Sequence, residues 1–170
     1  MIQSVESFIR YFTGIRRRTV TFAQAIPADQ IDWSPREGEF TCGEILRHLV
    51  AIETMTVQVV VDGEWPPYPG HDRSLAARLE EVIATLHSSH VQAMAQLATL
   101  PDAELGQPRP AIDRRPLKAW RLLMAMLEHE VHHRSQLASY LFLMGVEPPQ
   151  IFGLHVQDVI DFSSQGGGNE

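Results

Sequence analysis

The chain has 170 residues, 44% of them hydrophobic, and a formal net charge of −7 from 14 basic and 21 acidic side chains. This length predicts one domain with a core large enough to fold without disulfide bonds. The single cysteine, Cys42, excludes an internal disulfide and a multi-cysteine metal site. The acidic charge argues against a large nucleic-acid-binding surface. The sequence shows neither an apolar run of membrane-spanning length nor a signal-peptide pattern, so a soluble cytoplasmic protein is expected.

The first amphipathic segment, about Ile2 to Ala25, is predicted to be a helix because its apolar residues recur near helical spacing. Ile26-Pro27 ends this helix, since the residue before a proline disfavours the α conformation. The basic run Arg16-Arg17-Arg18 is interpreted as a solvent-facing helix surface rather than a phosphate-binding site.

The second helix is predicted from Thr41 to about Val61. Its first residues, Thr41-Cys42-Gly43-Glu44, match a capping box, in which the threonine and glutamate side chains each accept a free backbone amide of the other. Asp62-Gly63 ends the helix. A third helix is predicted from about Ser74 to Leu100, where Pro101 stops it.

The fourth helix is predicted from about Leu117 to Met144, with Gly145 as its carboxy-terminal cap. The apolar stretch IFGLHVQDVIDF after it predicts one or two helical turns, and the tail SSQGGGNE is expected to be mobile. No segment shows the alternating pattern of a β-strand. The expected organisation is one helical domain over residues 1–162 and a flexible tail over residues 163–170.

Four long amphipathic helices predict an all-α four-helix bundle with long inter-helix loops and a short carboxy-terminal helical segment. The connections over residues 26–40 and 101–116 either carry the chain across the bundle end or shape a cleft there. Val57, Val60 and Val61 lie off the main apolar stripe of the second helix. These valines would be better covered by another subunit, which favours a homodimer.

The stretch EHEVHHRSQL, residues 128–137, contains three histidines on the fourth helix. His129 and His133 are one turn apart on the inward face, whereas His132 is displaced from that face. His48 shares the inward face of the second helix. An inward histidine on one helix and an H-x-x-x-H pair on another form an arrangement that metal sites in bundles use. Three imidazoles suit zinc, nickel or iron(II) and leave a coordination position open for water or substrate.

Several other residues allow either a functional or a structural interpretation. Glu130 could be a general base, a hydrogen-bond acceptor for an imidazole N–H, or a salt-bridge partner. Cys42 is not expected to be a nucleophile, because its place in the capping box has a simpler explanation. Trp33, Trp65 and Tyr68 could line an apolar substrate cleft, but aromatic residues beside prolines are as often packing residues.

Two stretches, IPADQIDWSPREGEFTCGEILRHLVAIE (26–53) and HEVHHRSQL (129–137), resemble the DinB/YfiT-like superfamily of small helical bundles. Members of this superfamily carry a histidine on the second helix and an H-x-x-x-H pair on the fourth. The resemblance implies that the metal ligands are His48, His129 and His133. It also places Arg134 and Gln136 in supporting positions, with Ser135 where the family usually has glycine.

The resemblance implies activities and partners as well. Characterised members include transferases that join bacillithiol or mycothiol to electrophiles and a thiol-dependent maleylpyruvate isomerase, and members form homodimers. The leading hypothesis is therefore a metal-dependent enzyme that transfers a low-molecular-weight thiol to an electrophilic small molecule. A hydrolase that uses the same ion to activate water is the first alternative, because three histidines suit either nucleophile. A non-catalytic bundle that binds metal or a partner protein is the second.

Overall fold

The computed structural model describes residue 2 and residues 4–165 of the chain. Within these residues it contains five α-helices and one two-stranded hairpin, namely α1 Val5–Gln24, α2 Cys42–Asp62, α3 Leu79–Leu97, β1 Pro108–Pro110, β2 Pro116–Lys118, α4 Ala119–Leu143 and α5 Val156–Gln165. None of the helices in the described ranges is both long and apolar enough to cross a membrane. The prediction of an all-α four-helix bundle with a short carboxy-terminal helix is confirmed.

The order of the helices around the bundle follows from their contacts. Both α1 and α2 pack against α3 and α4, so α1 and α2 lie diagonally opposite each other. The connections over residues 25–41 and 98–118 therefore cross the two ends of the bundle, which is one of the two roles expected for them. The second halves of α2 and α3 share one apolar cluster, so these two helices are parallel. The connection over residues 63–78 consequently runs along the side of the bundle.

The core consists of two apolar clusters separated by a polar layer. The first cluster joins the first halves of α1 and α4 to the second halves of α2 and α3, and the second cluster joins the opposite halves. Buried polar side chains from all four helices lie between the two clusters, namely Arg16, Glu53, His90 and Glu130. We call these four residues the buried charge layer.

Local hydrogen bonds set the ends of the helices that carry the histidines. The predicted capping box of α2 is confirmed, since Glu44 N donates to Thr41 Oγ1 over 3.2 Å and Thr41 N donates to Glu44 Oε2 over 2.7 Å. Helix α2 ends at Gly63, whose φ of +84° favours glycine. Helix α3 begins later than the predicted Ser74, because the Glu81 carboxylate accepts the backbone amides that immediately precede Leu79.

The hairpin between α3 and α4 differs from the prediction that the chain has no strand. Pro108–Pro110 pairs antiparallel with Pro116–Lys118, and both strands are too short and too rich in proline to show an alternating pattern. Two side-chain bonds hold the hairpin to neighbouring segments. Trp65 Nε1 donates to Pro110 O over 2.7 Å, and Arg109 Nε donates to Val60 O of α2 over 2.8 Å.

The apolar side chains that the structure leaves exposed are not the ones that the sequence suggested. Val57 and Val60 are fully buried in the first apolar cluster and Val61 packs against it, so the expectation that they await a partner is wrong. The carboxy-terminal segment instead exposes large apolar side chains, among them Phe152, Val156, Val159, Ile160 and Phe162. Helix α5, Val156–Gln165, includes the first residues of the tail predicted from residue 163, and residues 166–170 lie outside the described residues.

Candidate metal centre

The contact between α2 and α4 brings together the three histidines that the sequence singled out. His48 Nε2 and His133 Nε2 each lie 3.1 Å from His129 Nε2. The ligand atoms of all three side chains lie within 4.8 Å of one another. The same ring nitrogen of each imidazole therefore points to one common position.

A chain of hydrogen bonds fixes the tautomer of His133. Tyr140 Oη donates to the carbonyl oxygen of Phe40 over 3.1 Å, so it accepts the bond from Gln136 Nε2, at 3.0 Å. Gln136 Oε1 then faces His133 Nδ1 at 2.9 Å and can only accept. The proton of His133 is therefore on Nδ1, and its Nε2 presents a lone pair to the common position.

His48 is held by the connection along the side of the bundle. Its Nδ1 lies 2.8 Å from Tyr68 Oη, which lies 2.7 Å from His71 Nδ1. The Tyr68 oxygen can accept the proton of His48 Nδ1 in a hydrogen bond and donate its own proton to His71, which leaves His48 Nε2 free to bind an ion. His71 is not predicted as a site residue from the sequence, because this irregular connection has no helical period that would indicate where its side chains point.

Burial keeps these imidazoles neutral. Burial and, to a smaller extent, the neighbouring histidines lower the pKa of His48 and of His129 from 6.5 to about 4. Burial also lowers the pKa of His133, although the bond to Gln136 opposes this effect. Neutral imidazole is the form that binds metal ions.

The three nitrogens fit a divalent metal ion. Two Nε2 lone pairs that face a third nitrogen at 3.1 Å cannot both be satisfied well by histidines alone. An ion with Zn–N bonds of about 2.0–2.1 Å in tetrahedral geometry would place its ligand nitrogens about 3.3 Å apart. The observed spacing is close to that value, so one cation at the common position would satisfy all three lone pairs.

Aromatic side chains surround His48, and one of them, Tyr68, is exposed to solvent. The Phe40 ring lies 5.5 Å from that of His48, and the Tyr68 side chain is 43% exposed. The two tryptophans pack elsewhere. Trp33 meets the ring of Tyr140 edge-on at 5.3 Å, and Trp65 bonds to the hairpin. Of the three aromatic residues considered for a substrate cleft, Tyr68 is therefore the one that contacts a histidine of the centre.

A separate cavity of about 380 Å³ lies between α2, α3 and the connection over residues 63–78. Its lining is mostly apolar and includes Met55, Pro66, Pro67 and Leu75, but none of the three clustered histidines. The cavity is therefore distinct from the metal centre.

Glu130, Cys42 and His132 occupy different environments. The Glu130 side chain is 2% exposed and its Oε2 accepts a bond from Arg16 Nη2 at 2.9 Å, so its observed contact is the salt bridge. Cys42 is fully buried, and burial raises the pKa of its thiol to about 12, which agrees with the expectation that it is not a nucleophile. His132 is exposed, outside the cluster of three.

The basic run of α1 contains a functional candidate that the sequence analysis misread. Arg17 is exposed, but Arg16 is only 2% exposed and lies in the buried charge layer. The interpretation of Arg16 as solvent-facing surface is therefore wrong. Arg16 follows the buried Phe12 by four residues, so the helical period already placed it on the inward face.

Comparisons with known proteins agree with this fold. A model of the DinB superfamily matches residues 11–137. Uncharacterized protein YjoA of Bacillus subtilis (strain 168) is 23% identical over 145 residues, which cover 85% of this chain and 93% of that protein.

Solved structures of similar proteins share the fold. The crystal structure of the DinB-like protein YjoA from Bacillus subtilis has a TM-score of 0.71 at 22% identity and covers 85% of this chain and 96% of its own. A DinB-like protein from Bacillus cereus ATCC 10987 has a TM-score of 0.73 at 19% identity, with 88% and 99% covered. TT2238, a four-helix bundle protein, has a TM-score of 0.62 at 20% identity, with 80% and 99% covered. Since the family model spans most of the sequence, the chain belongs to the DinB superfamily.

Proposed function

We propose that this protein is a metal-dependent enzyme that transfers a low-molecular-weight thiol to an electrophilic small molecule. The observation that carries the proposal is the convergence of three neutral, half-buried imidazoles, from His48, His129 and His133. Three protein ligands with a free position are typical of catalytic rather than structural zinc sites. A divalent ion held there would lower the pKa of a coordinated thiol or water and so supply a nucleophile at neutral pH.

The charge of the proposed ion and the burial of Cys42 both favour a thiol that comes from outside the protein. Three neutral donors leave the two positive charges of a divalent ion uncompensated, which favours an anionic fourth ligand such as a thiolate. The protein cannot supply that thiolate from its own sequence. Its one cysteine, Cys42, is fully buried, with a pKa raised to about 12. The proposed thiol is therefore a co-substrate.

The chain's own residues would orient the reactants. Tyr68 Oη lies next to His48 Nδ1, and because its own proton is donated to His71 it would accept a hydrogen bond from a donor group of the reactants. The Phe40 ring provides an apolar surface beside His48 and His71. A general-base role for Glu130 stays a prediction, and the proposal does not depend on it, because the Glu130 carboxylate is bonded to Arg16 in the core.

We further propose that the protein is a homodimer formed through its carboxy-terminal segment. Phe152 and Val156 are 80% and 77% exposed, and such a concentration of apolar side chains is typical of an interface. Light scattering at micromolar concentration should give the mass of a dimer. Deletion of residues 151–170 should give a monomer. A full-length chain that is monomeric under these conditions would contradict this part of the proposal.

The activity is tested with protein of known metal content. Elemental analysis should find close to one divalent ion per chain after reconstitution with zinc, nickel or iron(II). The loaded protein is then screened with reactive electrophiles and several biological thiols. Transfer should need both the metal and the thiol and should fall sharply in His129→Ala, while the exposed variant Arg17→Ala keeps the full rate.

The outcomes separate the alternatives. Metal-dependent turnover of an ester or amide without any thiol would favour the hydrolase. Bound metal without turnover under either condition would favour the binding protein. Failure to bind any of the three metals would contradict the metal centre itself.

A further inference from the structure

One arginine of α1 connects the two helices that carry the clustered histidines. Arg16 Nη2 donates a hydrogen bond to Glu130 Oε2 of α4 over 2.9 Å. The same nitrogen lies 2.9 Å from Glu53 Oε2 of α2, as an ion pair without hydrogen-bond geometry. All three side chains are at most 2% exposed, so water does not screen these contacts.

The two carboxylates are close in sequence to the histidines. Glu130 directly follows His129 on α4, and Glu53 lies between one and two turns after His48 on α2. A helix moves as a rigid unit over such a distance. An imidazole nitrogen about 6 Å from the helix axis would move by about 1 Å if its helix turned by 10°. Rotations of this size would be enough to spoil the convergence of the three nitrogens.

Glu53 is held from its other side as well. Its Oε1 lies 2.6 Å from His90 Nδ1 of α3, and His90 Nε2 lies 3.0 Å from Thr13 Oγ1 of α1. The carboxylate of α2 is thus fixed between α1 and α3, and Arg16 connects it to the carboxylate of α4. Arg16 therefore adds a buried electrostatic link between α2 and α4 to the direct packing of these two helices.

We propose that Arg16 is a positioning residue for the metal centre, which it serves by fixing the rotation and spacing of α2 and α4 through Glu53 and Glu130. This inference rests on the proposed metal site. Groups that orient metal ligands without touching the ion change the affinity by about 10–100-fold when they are removed. An effect of that size on zinc binding is expected when either carboxylate loses its link to Arg16.

A general loss of stability must be separated from a loss of positioning, and Arg109 offers a matched control. Arg109 Nη2 pairs with Glu104 over 2.9 Å and Arg109 Nε bonds to Val60 O of α2, but these contacts lie in the region of the first apolar cluster and the hairpin. Arg109→Met therefore removes a partly buried ion pair and a bond to α2 without touching the link between α2 and α4.

The experiment compares the wild type with Arg16→Met, Glu53→Met, Glu53→Gln and Arg109→Met. Glu53→Met removes a buried negative charge and leaves Arg16 and Glu130 as a balanced pair, so it should fold. Zinc affinity is measured by chelator competition, ligand geometry by the visible absorption of the cobalt(II) form, and stability by thermal unfolding of the metal-free protein.

We expect Arg16→Met and Glu53→Met to weaken zinc binding by about 10–100-fold and to change the cobalt spectrum. Glu53→Gln retains an acceptor oxygen and should recover most of the affinity. Arg109→Met should lower the unfolding temperature but keep the zinc affinity and the cobalt spectrum of the wild type.

The proposal is overturned if folded Glu53→Met has the wild-type zinc affinity and cobalt spectrum. It is also overturned if Glu53→Met cannot fold, since the charge layer would then serve folding alone. A wild type that binds no zinc or cobalt would overturn the metal centre and, with it, this inference. If Arg16→Met alone fails to fold, Glu53→Met and its glutamine counterpart decide the question.

Discussion

Two polar clusters lie in the middle of the same bundle, and they differ in whether the chain itself supplies a cation for them. The centre of His48, His129 and His133 is half-buried, neutral and rich in lone pairs without donors. The buried charge layer contains formally charged groups, but Arg16 lies against both of its carboxylates. Polar atoms inside a protein need partners. Among the described residues, the Arg16 guanidinium lies against two carboxylates of the chain, although Arg16 Nε and Nη1 and Glu130 Oε1 have no hydrogen-bond partner there. The histidine centre, in contrast, is suited to a cation from outside.

The largest expected effect would come from removing Arg16, the guanidinium that both carboxylates of the charge layer contact. Arg16→Met leaves Glu53 and Glu130 buried without their shared cation, and breaking a buried ion pair typically costs about 3–5 kcal/mol. The free energy of unfolding of the metal-free protein, measured with urea, should fall by that amount. His48→Ala should cost far less. Equal losses for both variants would show that the two clusters do not differ as we describe.

The next largest effect would come from removing one ligand of the histidine centre. His129 lies between the other two histidines, 3.1 Å from each. His129→Ala should weaken zinc binding by at least about 100-fold, or about 2.7 kcal/mol, because it removes a ligand rather than a supporting group. The exposed His132→Ala should bind zinc normally. The reverse result in a competition titration would mean that the ligand face of α4 is wrongly assigned.

A lower pH should reduce the stability of the metal-free protein through the histidine centre. His48 and His129 have a pKa of about 4 in the folded protein and 6.5 as the ordinary value, so the unfolded chain binds more protons between these values. Stability of the metal-free protein is therefore full above about pH 6.5 and is lost as the pH falls toward 4. We expect a loss of about 2 kcal/mol, a moderate value because both rings are only half-buried. Urea unfolding of His48→Ala across the same pH range should show a shallower decline, and an unchanged decline would contradict this origin.

The smallest effect would sharpen the description of the histidine centre. Gln136 fixes the tautomer of His133 through its carbonyl oxygen, 2.9 Å from Nδ1. Gln136→Leu keeps the volume but removes this bond, and should weaken zinc binding by about tenfold. Ser139→Ala removes a bond to the backbone of the same helix and serves as the control. Unchanged affinity in Gln136→Leu would show that packing alone orients the His133 ring.

The sequence predicts the site residues that lie on helices, because helical periodicity indicates which way their side chains face. It does not predict the site residues whose positions depend on tertiary contacts. His129 and His133 follow from a spacing of four on one helix, and His48 follows from the inward face of another. Tyr68 and His71 orient His48 from an irregular connection, and no periodic signal indicates where such side chains point. Their position depends on the long path of this connection beside α2 and α3.

The same limit applies to the fold. The four helices and the capping box are predictable because their hydrogen bonds and apolar spacing are local. The hairpin was missed because its pairing joins two three-residue strands across a loop, and the role of Arg16 was missed because its partners are far away in sequence. Glu130, for example, is 114 residues from Arg16 along the chain.

The division of the three histidines between α2 and α4 has a consequence for the protein during its synthesis. A nascent chain that has been made as far as α3 contains His48 but lacks both other nitrogens of the centre, since these belong to α4. Such a chain also lacks Glu130, the charge on α4 that Arg16 contacts. One imidazole alone holds a divalent ion weakly, so an unfinished chain would not retain an ion at this centre. If the centre holds an ion as proposed, its loading would follow the docking of the fourth helix.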